Sequence, residues 1–354
     1  MFQYRSLSRR IAVIIATMLT GCTGGHGLAP RMPTFSHAQS ARPISSYADR
    51  SLALTQSVRG HLYVADAAGV QRFPIVNGVL AAKSDLAYPG VGAPIIIDPL
   101  SHDLYVSHCC FIVAEYASGS TNPVRTLNIP GRITGLSVDP QGRLYVGIAA
   151  GLRCFRFGYC EFVTNEFLVY SRVASGNANP LQRVIVSESG CIQCALPLYR
   201  YYIALALDKQ EELVASSHAP SASSGCNGVC IYASPATASH LVSTLSGPHI
   251  TTNPSALAVD TSNELYVGND PSGSSQPFVS AFHRRTNGNW SFDRETAVVG
   301  MKSIGNGIAT AAGRLFVPDP LANVVYEVYS TRAGQQNPIS RLSVVSPEDV
   351  QLGP

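Results

Sequence analysis

Charge is scarce in this chain. Only 13% of its 354 residues are Asp, Glu, Lys or Arg, and these nowhere gather into a run of one sign. The formal charge of +3 comes from Arg5, Arg9 and Arg10. Without the first 21 residues, the 22 remaining Lys and Arg equal the 22 Asp and Glu. A neutral body of this kind excludes the basic footprint of a nucleic-acid binder. Catalytic signatures are missing too: there is no Gly-x-Ser-x-Gly elbow, no His-Glu-x-x-His pair and no phosphate-binding loop. The hydrolase classes built on them have no support. After residue 50 no low-complexity linker interrupts the chain, so one closed unit is expected despite a length that allows two domains.

What is present is a repeat. Leu62-Tyr63-Val64, Leu104-Tyr105-Val106, Leu144-Tyr145-Val146, Leu213-Val214-Ala215, Leu265-Tyr266-Val267 and Leu315-Phe316-Val317 lie 42, 40, 69, 52 and 50 residues apart. The clearest unit runs Ile133-Thr134-Gly135-Leu136-Ser137-Val138-Asp139-Pro140, turns through Gln141-Gly142 and returns as Arg143-Leu144-Tyr145-Val146-Gly147. Apolar alternation on either side of such a turn makes a hairpin. It recurs around Asp98, Asp208 and Asp260, loosely over 307–317, and in its most degenerate form over 52–64. Each Asp is read as a turn-former accepting backbone N–H bonds. Third strands follow, ending at Phe73, Tyr116, Tyr170, Tyr232, Phe282 and Tyr329. After Tyr116, Tyr170 and Tyr329 comes an Ala-(Ser)-Gly segment with Asn-Pro, leading into a fourth strand.

A period of this length with four short strands predicts an all-β, six-bladed β-propeller with four-stranded antiparallel blades over 51–346, followed by a C-terminal tail at 347–354. The Ile/Leu-x-Val-Asp-Pro-x-Gly-x-Leu-Tyr-Val runs resemble NHL-repeat and related six-bladed propellers. That resemblance covers nearly the whole chain after residue 50 and implies a fold, because those residues build the blade.

The first 21 residues read as a signal peptide: three arginines precede an apolar stretch at 11–19 that is too short to span a bilayer. Leu19-Thr20-Gly21-Cys22 is similar to a bacterial lipoprotein lipobox, which implies lipidation of Cys22 and an outer-membrane or cell-surface address. An ordinary secretory signal cut near Ser36-His37-Ala38, or a twin-arginine signal at Ser8-Arg9-Arg10, is the alternative. Residues 22–50, rich in Gly, Pro, Ser and Ala, are expected to be a flexible tether.

Eight further cysteines, Cys109, Cys110, Cys154, Cys160, Cys191, Cys194, Cys226 and Cys230, form an even set that in an exported protein reads as disulfides of undetermined pairing. In an up-and-down blade, the loop after the second strand and the loop leaving the fourth emerge on one face, and all eight fall there, over blades two to four. The same face carries the insertions 151–166 and 187–202, with Phe155, Phe157, Tyr159, Tyr199, Arg200, Tyr201 and Tyr202 as candidate contact residues beside His108 and His218. Disulfides that merely hold long loops down are the plainer reading. Zinc on Cys191, Cys194, Cys226 and Cys230, a redox role for Cys191-Ile192-Gln193-Cys194, and a metal on the two histidines are weaker ones.

Two function classes follow. A rigid ring presenting aromatic loops implies a non-enzymatic binding or scaffold lipoprotein, working as a monomer without cofactor on an envelope protein or small ligand. The other class rests on Asn306-Gly307-Ile308-Ala309, which is similar to a segment of gluconolactonase-like propellers. That resemblance implies a channel metal with Asn306 among its ligands and hydrolysis of a lactone. The companion ligands of that family have no counterpart, and one oxygen cannot hold a hard cation.

Overall fold

The computed structural model describes residues 60–90, 92–108, 111–154, 160–188, 204–217, 228–233, 240–251, 254–271 and 275–354. These residues form six small antiparallel sheets and no helix. Blade two shows the plan: Ile95–Ile97, Leu104–His108, Ile112–Tyr116 and Pro123–Asn128 are hydrogen-bonded in sequence order, from the channel outward. Blade three (Arg132–Val138, Leu144–Cys154, Cys160–Tyr170, Gln182–Glu188) and blade four (Leu205–Leu207, Leu213–Ser217, Gly228–Tyr232, Leu241–Leu245) repeat it. So do blade five (Pro254–Val259, Glu264–Asn269, Phe278–Arg284, Trp290–Val298) and blade six (Ala309–Ala311, Arg314–Asp319, Val324–Tyr329, Ser340–Ser343). Each innermost strand lies beside that of the next blade, all the way round. The chain is a six-bladed β-propeller.

The Leu-Tyr-Val runs are the second strands, and their unbroken apolar character has a simple cause: each blade is covered on both faces by its neighbours. Side chains alternate between the two gaps. In blade one, Leu62 and Val64 pack with Phe316 and Val325 of blade six, while Tyr63 and Ala65 pack with Ile95, Leu104 and Tyr116 of blade two. One such apolar cluster fills every gap, so the core is a ring of six wedges. The turn aspartates behave as expected. Oδ1 of Asp139 accepts from the N–H groups of Gln141 and Arg143, that of Asp208 from Gln210 and Glu212, and that of Asp260 from Ser262 and Glu264.

Two features correct the sequence reading. The C-terminal segment is not a tail: Asp349–Gly353 is the innermost strand of blade one, paired along Gly60–Asp66, with Gly69–Val76 next and Val79–Leu80 and Leu86–Pro89 outside. It fills the slot expected for the start of the 52–64 unit, whose first residues, 52–59, lie outside the described residues. The Ala-(Ser)-Gly segment also has a role that the repeat did not disclose. Gly334–Gln336 pairs in parallel with Thr296–Val298, the outer edge of blade five, and Gly176 bridges Leu127 at the outer edge of blade two. Each covers an edge of the preceding blade that would otherwise offer unpaired N–H and C=O groups.

Candidate functional site

Strand direction fixes which residues share a face. Second strands end, third strands begin and innermost strands start at the same end of the ring. In five blades the second and third strands are five to eight residues long, but in blade three both have eleven. Ala149 pairs with Arg132 at the head of the innermost strand, and beyond it the hairpin continues for five residues on each side, to Cys154 opposite Cys160. At ~3.3 Å per residue this ladder rises roughly 17 Å past its inner neighbour. The outer strand follows it part of the way, with Glu188 opposite Thr164.

Of the candidate residues, Phe155, Phe157 and Tyr159 fall between these two strands in sequence and lie outside the described residues. So do Cys22, Cys109, Cys110, Cys191, Cys194, Tyr199, Arg200, Tyr201, Tyr202, His218 and Cys226. The backbone register sets Cys154 and Cys160 directly opposite each other. Cys230 is not a loop residue: it lies inside the third strand of blade four, opposite Ala215 and Thr244, fully buried and disulfide-bonded.

His108 is no free loop histidine either. It ends the second strand of blade two, its Nε2 lies 2.9 Å from the Tyr116 hydroxyl, and its ring is held against Gly90, where a Cβ would come within 2.2 Å of it. Burial lowers its pKa, which favours the neutral ring. The same position, four residues after the leading Leu, holds Asp66, Asn269 and Asp319. Asn269 Oδ1 accepts from Thr251 N, and Asp319 takes Lys302 N on Oδ2 and the Ser303 hydroxyl on Oδ1. These buried groups clamp the connections into blades five and six. Sequence reading missed them, although the fixed offset after Leu-Tyr-Val was a usable signal.

At the head of the channel Asn306 donates its backbone N–H to the Glu348 carbonyl (2.5 Å), which brings Gly307 onto Asp349. Asp349 is buried. Its Oδ2 accepts from Ile95 N at 2.9 Å, and its Oδ1 has no hydrogen-bond partner. A Cβ on Gly307 would lie 1.7 Å from that oxygen, so only glycine leaves room. Burial pushes the carboxyl up to about 7, with Glu348 adding to the rise and the N–H groups of Ile95 and Val350 and the Gln351 side chain opposing it. A lactonase-type metal does not fit here. One Asp349 oxygen is engaged by blade two, the other is covered by Gly307, and among the described residues no three His, Cys, Asp or Glu converge on one point.

No known family model matches the chain, and neither does any curated protein sequence. Its likeness is to solved propellers. A candidate 6-phosphogluconolactonase from Bacteroides fragilis is 12% identical, with a TM-score of 0.56 over 84% of this chain and 98% of that one. The periplasmic gluconolactonase of Pseudomonas aeruginosa is 12% identical, with a TM-score of 0.53 over 84% and 99%. A protein of unknown function from Bacteroides caccae is 10% identical, with a TM-score of 0.54 over the same shares. Identities this low show a shared fold.

Proposed function

We propose that the chain is a recognition propeller of the bacterial cell envelope, lipid-anchored at Cys22, that captures a partner protein or small ligand on the face carrying the cysteines and the aromatic insertions. The observation that carries this reading is the blade-three hairpin, which rises past its innermost strand and whose two strands are joined in sequence by the segment holding Phe155, Phe157 and Tyr159. Aromatic side chains on a braced arm present much contact area at little entropic cost. The test is capture of envelope components by the purified protein. Reduction of the disulfides, or Ala at Tyr199, Tyr201 and Tyr202, should cut retention of the captured component at least tenfold, about 1.4 kcal/mol, with little change in melting temperature. Retention unchanged by both treatments would move the site off this face. Cys22→Ala should at the same time abolish partitioning into detergent, and equal partitioning of both forms would place the anchor elsewhere.

A second reading, hydrolysis of a lactone, comes from the names of two of the similar propellers. Turnover of a lactone by the purified protein, with or without added calcium or zinc, would establish it.

A further inference from the structure

The end of the ring opposite the cysteine-bearing face is where innermost strands pass to second strands and third strands to fourth. Among the described residues, nine of the twelve exposed large apolar side chains lie at this end, in those connections or within two residues of them, and all nine are Val, Leu or Ile. Single exposed aliphatics are ordinary, but their gathering at one end marks a contact surface. Six of them are more than half exposed and follow three adjacent blades: Val76 and Val79 on blade one, Leu100 and Val124 on blade two, Val173 and Leu181 on blade three. Arg172, itself 46% exposed, holds its Nη2 3.9 Å from Asp98 Oδ2, which brings the Val173 connection of blade three onto the Leu100 turn of blade two. Charge at this end is sorted by depth. The side chains of Asp98, Asp139 and Asp208 are wholly buried in their turns, and Glu211 and Glu212 are ion-paired with Arg143 and Arg284. Lys209 and Arg285, on blades four and five, are exposed and make no ion pair among the described residues.

We propose that this end of the ring rests on a lipid surface. Interfacial binding grows with the apolar area inserted and with cations that reach anionic headgroups, and Arg172, Lys209 and Arg285 stand level with the aliphatic tips for that purpose. A protein partner needs a contiguous, desolvated centre. These side chains instead stand apart over three blades, with polar turn residues such as Ser101, His102 and Asn122 between them, and tips of that kind enter a bilayer one by one. The point where the chain enters the ring agrees: Gly60 begins the second strand of blade one at this same end. An anchor at Cys22 therefore feeds in from the lipid side and leaves the cysteine-bearing face turned away from it. That orientation rests on the anchor proposed above, whereas the affinity of the face for lipid does not.

Flotation of the full-length Cys22→Ala chain with vesicles of phosphatidylethanolamine and phosphatidylglycerol tests the face without an acyl anchor. The chain should float with them, several-fold more than with phosphatidylcholine alone, whose surface has no net charge. Amide hydrogen exchange should slow on vesicle addition in residues 98–103 and 171–181 but not in 319–324 at the opposite end. Adding Leu100→Asp, Val173→Asp and Leu181→Asp together should lower partitioning about tenfold or more. Their exposed positions should leave the melting temperature where it was, which shows that the ring is intact. Leu321→Asp with Val345→Asp, exposed at the other end, should leave partitioning unchanged. Residues 11–19 are common to all these variants, so the differences between them read the face alone. Exchange unmoved by vesicles in both segments, or equal partitioning of the triple variant and its parent, overturns the proposal. Slowing of the same segments by a captured envelope protein and not by vesicles overturns it too, and makes the occupant a protein. None of these outcomes depends on acylation of Cys22, so they stand apart from the detergent test of the anchor.

Discussion

Deletion of residues 347–354 should abolish cooperative folding of the ring. Blade one would lose its innermost strand, exposing the inner edge of Gly60–Asp66 and removing the five-residue pairing from His61 to Ala65. Val350 and Leu352 would vanish from the cluster between blades six and one, leaving Leu62, Val64 and Phe316 open to the channel. Each buried aliphatic side chain contributes about 1.5–3 kcal/mol, and the lost strand ladder adds to that. The total approaches the ~5–15 kcal/mol by which a domain is stable at all. Thermal melts followed by circular dichroism, with gel filtration, should show a broad transition and an expanded or aggregated species. A synthetic peptide of residues 347–354, added in excess, should restore part of the transition. A truncated chain melting at the wild-type temperature would show that the ring closes without this strand.

Asp349→Asn should change how stability depends on pH. In the unfolded chain this carboxyl loses its proton near the ordinary 3.8, whereas in the ring it keeps it up to about 7. Between those values the unfolded state binds fewer protons, so stability falls as pH rises from about 4 and levels off above about 7. The displacement corresponds to roughly 4 kcal/mol at full ionisation. Asn stays neutral, so the variant should match the wild type near pH 4 and exceed it by up to that amount at pH 8. Urea midpoints taken across this range read the difference. Parallel curves for the two proteins would mean that Asp349 ionises in the folded ring as easily as in the unfolded chain.

These two expectations concern one seam, and neither its strand nor its carboxylate was legible in the sequence. Nothing local distinguishes Asp349–Gly353 from an ordinary tail, because its partner Gly60–Asp66 lies almost the whole chain away. Nothing around Asp349 in sequence shows that Ile95 of blade two and Gly307 of blade six close over it. His108 had the same fate: read as a loop residue, it is fixed by Tyr116 and Gly90, which only the packing of blade two supplies.

Local physics was readable. The Leu-Tyr-Val runs announce strands covered on both faces, and Asp139, Asp208 and Asp260 announce tight turns, because side-chain alternation and turn hydrogen bonds act within a few residues. Recurrence of that unit was enough to count six blades. Closure of the ring by the C-terminus was decided by pairing between distant segments, and the rise of the blade-three hairpin by where the innermost strand stops beside it. Burial and edge exposure are properties of the assembled ring, so they are settled only when the blades meet.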